Sequence, residues 1–167
     1  LALMKRHYKR DLFADKIASI KKAMPDAFIG VDVIVGTNGE TDACFDDSYR
    51  FIDGLDVSQL HVFSYSERPN TQALKIGGRV SSKVKKDRSD LLHELSEKKR
   101  LAFYQSQIGR EKFVLWEDKR TEGRMHGFTD NYIRVETEFD KSLVNTLTKV
   151  RLGDFTEDGM SLSCSAL

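Results

Sequence analysis

Gly36, Gly39 and Glu40 are the residues of this chain whose types and spacing point to chemistry. They lie in Gly36-Thr-Asn-Gly-Glu-Thr41, directly after the run Ala27-Phe-Ile-Gly-Val-Asp-Val-Ile-Val35. Glycines at a strand end let the backbone approach a ligand and permit positive φ. Parallel α/β folds hold their ligands at that end of the strands. A phosphate suits the loop poorly, because Glu40 repels an anion and no lysine follows the second glycine. An ordinary strand–helix turn would also place Glu40 near a helix start, for dipole reasons. Asp32 interrupts the valines of the run, where a carboxylate needs a partner or the polar mouth of a sheet. Arg6 and Arg68 are candidates for gripping a carboxylate bidentately, against the plainer reading of solvated ion pairs.

Other chemistries find little support. His7, His61, His93 and His126 lack metal-ligand spacing, and no nucleophile–base pair stands out. The two cysteines, Cys44 and Cys164, are too few and too distant for a disulfide framework or a cysteine metal site. They suit a reducing compartment. The net charge of +1 does not advertise a polyanion partner. Local cations do exist. Lys83-Val-Lys-Lys-Asp-Arg88 carries Lys85, Lys86 and Arg88, and Glu97-Lys-Lys-Arg100 follows. Further on, Lys112, Trp116, Lys119, Arg120, Arg124, Tyr132 and Arg134 mix cations with aromatics, as single-stranded RNA surfaces do. The plain alternatives are a solvated helix face for the first set and a core position for Trp116.

These residues need elements to position them. Phe13, Ile17, Ile20 and Met24 recur at helical spacing, and Pro25 ends that helix. The Ala27–Val35 run suits a strand buried on both faces of a parallel sheet. Thr41 can cap a second helix with Phe45, Tyr49 and Ile52 on its buried face and Gly54 near its end. Leu60–Tyr65 reads as a second strand. A long helix is expected from about Ser82 to Gln107, with Val84, Leu91, Leu95 and Ala102 on one face and Gly109 just past its end. The order βαβα implies parallel pairing. From Gly109 onward the pattern becomes five short strands: Phe113–Trp116, Met125–Phe128, Tyr132–Val135, Thr148–Leu152 and Met160–Cys164. The expected class is thus α/β followed by all-β, the second part a small five-stranded antiparallel barrel of the OB kind. We expect domains at 1–108, including the connecting helix, and 109–167. Two strands cannot close a parallel barrel, so the first part is too small for the architecture its strands imply. Leu1 in place of an initiator methionine fits an excised piece. No apolar stretch approaches the roughly 18 residues of a membrane span.

The order Met4-Lys-Arg-His-Tyr8, Phe13, Pro25, Gly30-Val-Asp-Val-Ile-Val-Gly-Thr-Asn-Gly-Glu-Thr41, Phe45, His61-Val-Phe-Ser-Tyr-Ser66, Arg68 and Thr71 resembles the radical S-adenosylmethionine methylthiotransferases. The tail, with Gly127-Phe-Thr-Asp-Asn-Tyr-Ile-Arg-Val135, is similar to their TRAM domain. The subgroup acting on threonylcarbamoyladenosine beside the tRNA anticodon is the nearest in these segments. The resemblance implies the carboxyl-terminal part of a radical (βα) barrel, a connecting helix and an RNA-binding barrel. It implies a cytoplasmic enzyme with S-adenosylmethionine and [4Fe–4S] clusters, in which sulfur is inserted at an adenine carbon and then methylated. Asp32, Ile34, Gly36, Gly39 and Glu40 would lie along the adenosine part, and Arg6 and Arg68 near the carboxylate. Lys85, Lys86, Arg88, Lys112, Trp116, Arg124, Tyr132 and Arg134 would face tRNA at the anticodon stem-loop.

The chain departs from the family in two ways. The Cys-x-x-x-Cys-x-x-Cys cluster motif is missing, so no cluster or other cofactor is expected on this chain alone, and it should be inactive alone. Thr37 and Asn38 stand where the family loop usually has Phe-Pro, which removes proline stiffening. The expected partners are tRNA, the missing amino-terminal part of the same enzyme and other copies of the chain, and no membrane. The competing readings are a non-catalytic RNA-binding module with an α/β scaffold, and a nucleotide-binding α/β enzyme that lacks its remaining strands.

Overall fold

The computed structural model describes residues 9–167. The chain divides into two compact units that meet at Arg100 and Leu101. The first begins with α1 (Arg10–Ala23). Ile17 is its buried residue and Phe13 packs against the core, while Ile20 and Met24 stay exposed. The strand β1 covers Gly30–Val35, shorter than the apolar run, and pairs in parallel with β2 (Gln59–Ser64). Between them runs α2 (Asp42–Asp53), whose Thr41 hydroxyl accepts from the Cys44 amide at 3.2 Å, as the cap pattern requires.

Burial on β1 alternates, so a run suited to cover on both faces is covered on one, as a first part too small for its architecture implies. Val35 is buried and Val31 and Val33 partly so, together with Leu60 and Val62 of β2, against α2 and the third helix. Asp32 and Ile34 face the other way, in register with His61 and Phe63. Ile34 is 53% exposed and Phe63 51%. The physical reason is the count of neighbours: a two-stranded sheet with helices on one side leaves the other side bare.

The third helix, α3 (Ser82–Gln105), ends within two residues of expectation, but its buried face is different. Arg88, Leu92, Leu95 and Ser96 are buried, whereas Leu91 is exposed. Both Ser96 bonds satisfy β2: its hydroxyl accepts from the Leu60 amide at 2.9 Å and donates to the Leu60 carbonyl at 3.0 Å. Two polar residues therefore occupy the core stripe and hide its phase from an apolar pattern.

The second unit is a closed barrel in the order β3-β4-β5-β7-β6. Its strands are β3 (Glu111–Thr121), β4 (Arg124–Thr129), β5 (Arg134–Glu138), β6 (Leu147–Phe155) and β7 (Leu162–Ala166). All five expected strands exist. One pairing, β5 with β7 through Val135 and Leu162, is parallel, so the barrel is not wholly antiparallel. Closure leaves no open edge along the main pairings. Val114, Trp116, Met125, Ile133, Val135, Leu152 and Leu162 fill the interior. The last turn of α3 belongs to this unit. Phe103, Tyr104 and Gln107 are buried, and the Tyr104 hydroxyl donates to the Tyr132 carbonyl at 3.3 Å and accepts from the Arg134 amide at 3.0 Å. Gly109, at φ 81, turns the chain into β3 and donates to the Leu152 carbonyl at 2.8 Å.

Candidate functional site

The loop after β1 is built as a closed bracket. Gly36 and Gly39 have φ of 74 and 83, values that favour glycine. Close packing adds a second reason. A Cβ on Gly36 would meet Lys85 Cγ at 2.4 Å, and one on Gly39 would meet Ile76 Cγ2 at 3.2 Å. Both Glu40 carboxylate oxygens accept from the Gly36 amide at 3.1 Å. Gly39 donates to the Gly78 carbonyl at 2.8 Å, and Glu40 to the Thr37 carbonyl at 3.0 Å. Both glycine amides are thus bonded inside the fold, that of Gly36 within the loop and that of Gly39 to Gly78 outside it. The two glycines set the shape of the loop.

Asp32 and Ile34 are on the open face of β1, in register with His61 and Phe63. The structure brings three of the site residues together: Asp32, Ile34 and Glu40 all line one cavity of about 390 Å³, with Phe13, Phe45 and Leu92. Consecutive β1 residues line it, so it opens along the strand edge that β2 does not cover. Arg68 is exposed, and its carbonyl accepts from the Thr71 hydroxyl at 2.9 Å. Arg6 lies outside the described residues.

Arg88 requires correction as an RNA-facing cation. It is buried, and it bonds Glu40 at 2.7 Å and Asp42 at 2.6 Å. Its charge is compensated inside the fold rather than offered to phosphate. Lys85 and Lys86 part company from it. Lys85 donates to the Tyr65 carbonyl at 2.8 Å, its ammonium 5.2 Å from that ring. Lys86 is exposed and hydrogen-bonded to Asp90, which raises its pKa. Both line a basin with Tyr65, Arg79 and Ser82.

On the barrel, Trp116 is also corrected. It is 1% exposed, and its Nε1 donates to the Thr148 hydroxyl at 2.7 Å, so it is core and cannot stack on a base. Lys112 is largely covered and lies 3.8 Å from Asp130. Arg124 is half exposed and 3.7 Å from Glu136. Tyr132 is 70% exposed at φ 60. Arg134 stands in register with Phe128, Phe128 with Leu115, and Leu115 with Leu147. Tyr132 and Arg134 are therefore near neighbours, while Arg124 pairs with Glu138 at the far end of β5. The exposed row of Phe128, Leu115 and Leu147 was missed by sequence reasoning. In Phe113-Val-Leu-Trp116 every residue is apolar, so alternation gives no phase. Among the described residues no group of histidine, cysteine or carboxylate side chains has metal-holding geometry, and no helix is long and apolar enough to cross a membrane.

A glycine-shaped loop at the end of a parallel strand, with a small closed β-barrel in the same chain, narrows the class to an α/β protein with an appended barrel. No family model matches the chain. Curated relatives do. The threonylcarbamoyladenosine tRNA methylthiotransferase MtaB of Aquifex aeolicus is 35% identical over 83% of this chain and 32% of its own length. The Thermotoga maritima protein of the same name is 32% identical over 99% of the chain and 38% of its own length. The tRNA-2-methylthio-N(6)-dimethylallyladenosine synthase of Bacillus licheniformis is 32% identical over 91% of the chain and 30% of its own length. The chain is homologous to the tRNA methylthiotransferases, as its motifs indicated, and spans about a third of the length of these relatives.

Proposed function

We propose that this chain forms part of a radical S-adenosylmethionine methylthiotransferase acting on threonylcarbamoyladenosine next to the anticodon of tRNA. The observation that carries the reading is similarity along nearly the whole chain to proteins of that name. In this reading residues 1–108 are the carboxyl-terminal part of the radical barrel with its connecting helix, and 109–167 are the TRAM barrel. When bound, S-adenosylmethionine and the [4Fe–4S] clusters supply the radical chemistry that places sulfur on an adenine carbon and methylates it. This chain's residues bind and orient. The Gly36–Glu40 bracket offers a close backbone approach to the nucleoside part, since side chains at both glycines are excluded. Ile34 supplies an apolar surface beside it, Asp32 an acceptor, and Arg6 and Arg68 a grip on the carboxylate. With two cysteines in the chain, the cluster ligands come from elsewhere. The chain alone does not methylthiolate.

The open face of Ile34 and Phe63 is, in this reading, covered by the rest of the barrel of the whole enzyme, and by other copies when the chain is alone. The barrel holds RNA through Tyr132, Arg134 and Arg124, with Lys85 and Lys86 as a separate basic contact. A tRNA substrate places the work in the cytoplasm. The test is anaerobic turnover of the whole protein with S-adenosylmethionine, a sulfide source and an anticodon stem-loop carrying threonylcarbamoyladenosine. Mass spectrometry of the digested RNA should show the methylthio derivative. An unmodified RNA with an intact, reducible cluster would refute the reading.

A further inference from the structure

Arg88 has surroundings that give it a task on the loop rather than on the surface. Its side chain is 6% exposed. Its Nη1 donates to Glu40 Oε1 at 2.7 Å and to the Glu40 carbonyl at 3.2 Å, and its Nη2 to Asp42 Oδ1 at 2.6 Å. The guanidinium lies over the Phe45 ring, 5.3 Å from its centroid. The same Glu40 carboxylate closes the loop by accepting from the Gly36 amide. The guanidinium and the Gly36 amide thus share one carboxylate, and that carboxylate is the only side chain tying the loop's end to its beginning among the described residues. A buried cation is costly unless its donors are used. Here those donors go to Glu40 and Asp42, the two residues that flank the helix cap Thr41.

We propose that Arg88 is a positioning residue: it anchors Glu40 so that Glu40 holds the Gly36 amide, and so sets the shape of the loop against which a nucleoside cofactor lies. The cofactor part of this statement rests on the reading given under Proposed function. A carboxylate four residues from Gly36 on an open loop would otherwise turn to water and release the amide. Lysine is a poor substitute, because a point charge cannot bridge Glu40 and Asp42 while stacking on Phe45.

The experiment follows amide hydrogen exchange by NMR in this 167-residue chain. Arg88→Met keeps the apolar contact and removes the donors; Arg88→Lys keeps the charge. The Leu60 amide, which donates to Ser96 on the same helix, reports whether α3 stays docked. Arg88→Met should speed exchange at Gly36 about ten- to a hundredfold while Leu60 stays within about twofold, and Arg88→Lys should fall between. In a Glu40→Ala background Arg88→Met should add nothing at Gly36, because both changes remove one linkage. The proposal is overturned by an unchanged Gly36 amide, by Gly36 and Leu60 accelerating together, or by equal effects of Arg88→Met with and without Glu40. A parallel titration of the whole protein with S-adenosylmethionine separates the two layers. If Gly36 loosens in Arg88→Met but affinity is unchanged, the anchor stands and the cofactor reading of the loop falls.

Discussion

Gly127→Ala should unfold the barrel far more readily than its size suggests. Gly127 is in register with Trp116 on β3 and Val135 on β5, both buried, so a side chain there points inward. The added methyl would lie 2.5 Å from Val114 Cγ1, 2.6 Å from the Leu115 carbonyl oxygen and 2.9 Å from Trp116 Cε3. The indole occupies the space that glycine leaves empty. One of the three obstacles is backbone, so rotamer change cannot clear it. Overpacking of this kind costs about 1–3 kcal/mol. Moving the indole also breaks its bond to Thr148, worth about 1 kcal/mol more. The sum, about 2–4 kcal/mol, lowers the melting temperature of a unit this small by roughly 10–30 °C. The chain has one tryptophan, so Trp116 fluorescence during thermal unfolding reads the barrel alone. Gly77→Ala is the control, since nothing lies within 4 Å of its added methyl and its φ is unexceptional. A Gly127→Ala midpoint within about 2 °C of the parent, with unchanged emission, would refute the packing argument.

Four further outcomes follow from the same reasoning. Ser96→Ala leaves the buried Leu60 amide and carbonyl without their partner and should cost about 1–3 kcal/mol in denaturant unfolding, with Ser89→Ala, on the partly covered face, near neutral. Burial pushes the Cys164 thiol pKa up, so its thiolate fraction is lowered; alkylation at pH 8 should label exposed Cys44 first, and equal rates would contradict the placement. Ile34→Glu together with Phe63→Glu should shift the chain toward monomer in sedimentation, because they charge the bare face of the two-stranded sheet. Charge reversal at Arg134 with Tyr132→Ala should weaken stem-loop binding about tenfold or more and flatten its salt dependence, whereas Trp116→Phe should leave binding unchanged if the protein stays folded.

How legible the molecule was depends on where polar residues sit. The strand–loop–helix around Gly36 could be read because its signals are local: a β-branched run, two glycines and a threonine cap. The barrel could be read because turn residues separate its short strands. The face of α3 could not, since Arg88 and Ser96 occupy core positions and only their bonds to Glu40, Asp42 and Leu60 explain them. Those partners are 36 to 48 residues away in sequence, beyond any periodicity. Trp116 carried the opposite ambiguity. Beside Lys112 and Lys119 it looks like a stacking platform, yet Gly127 across the ladder makes room for it inside. The exposed row Phe128, Leu115 and Leu147 exists only through cross-strand register, which the sequence does not display.

The most direct test of the central claim is the nucleoside content of tRNA from cells in which the gene for the whole protein is deleted and then restored. Deletion should remove the 2-methylthio form of threonylcarbamoyladenosine and leave its unmethylthiolated precursor in its place. Restoration should bring the methylthio form back, and restoration with Gly36→Val, which places a side chain where Lys85 already packs, should not. A methylthio signal unchanged by deletion, with no other 2-methylthio adenosine affected, would contradict the assignment.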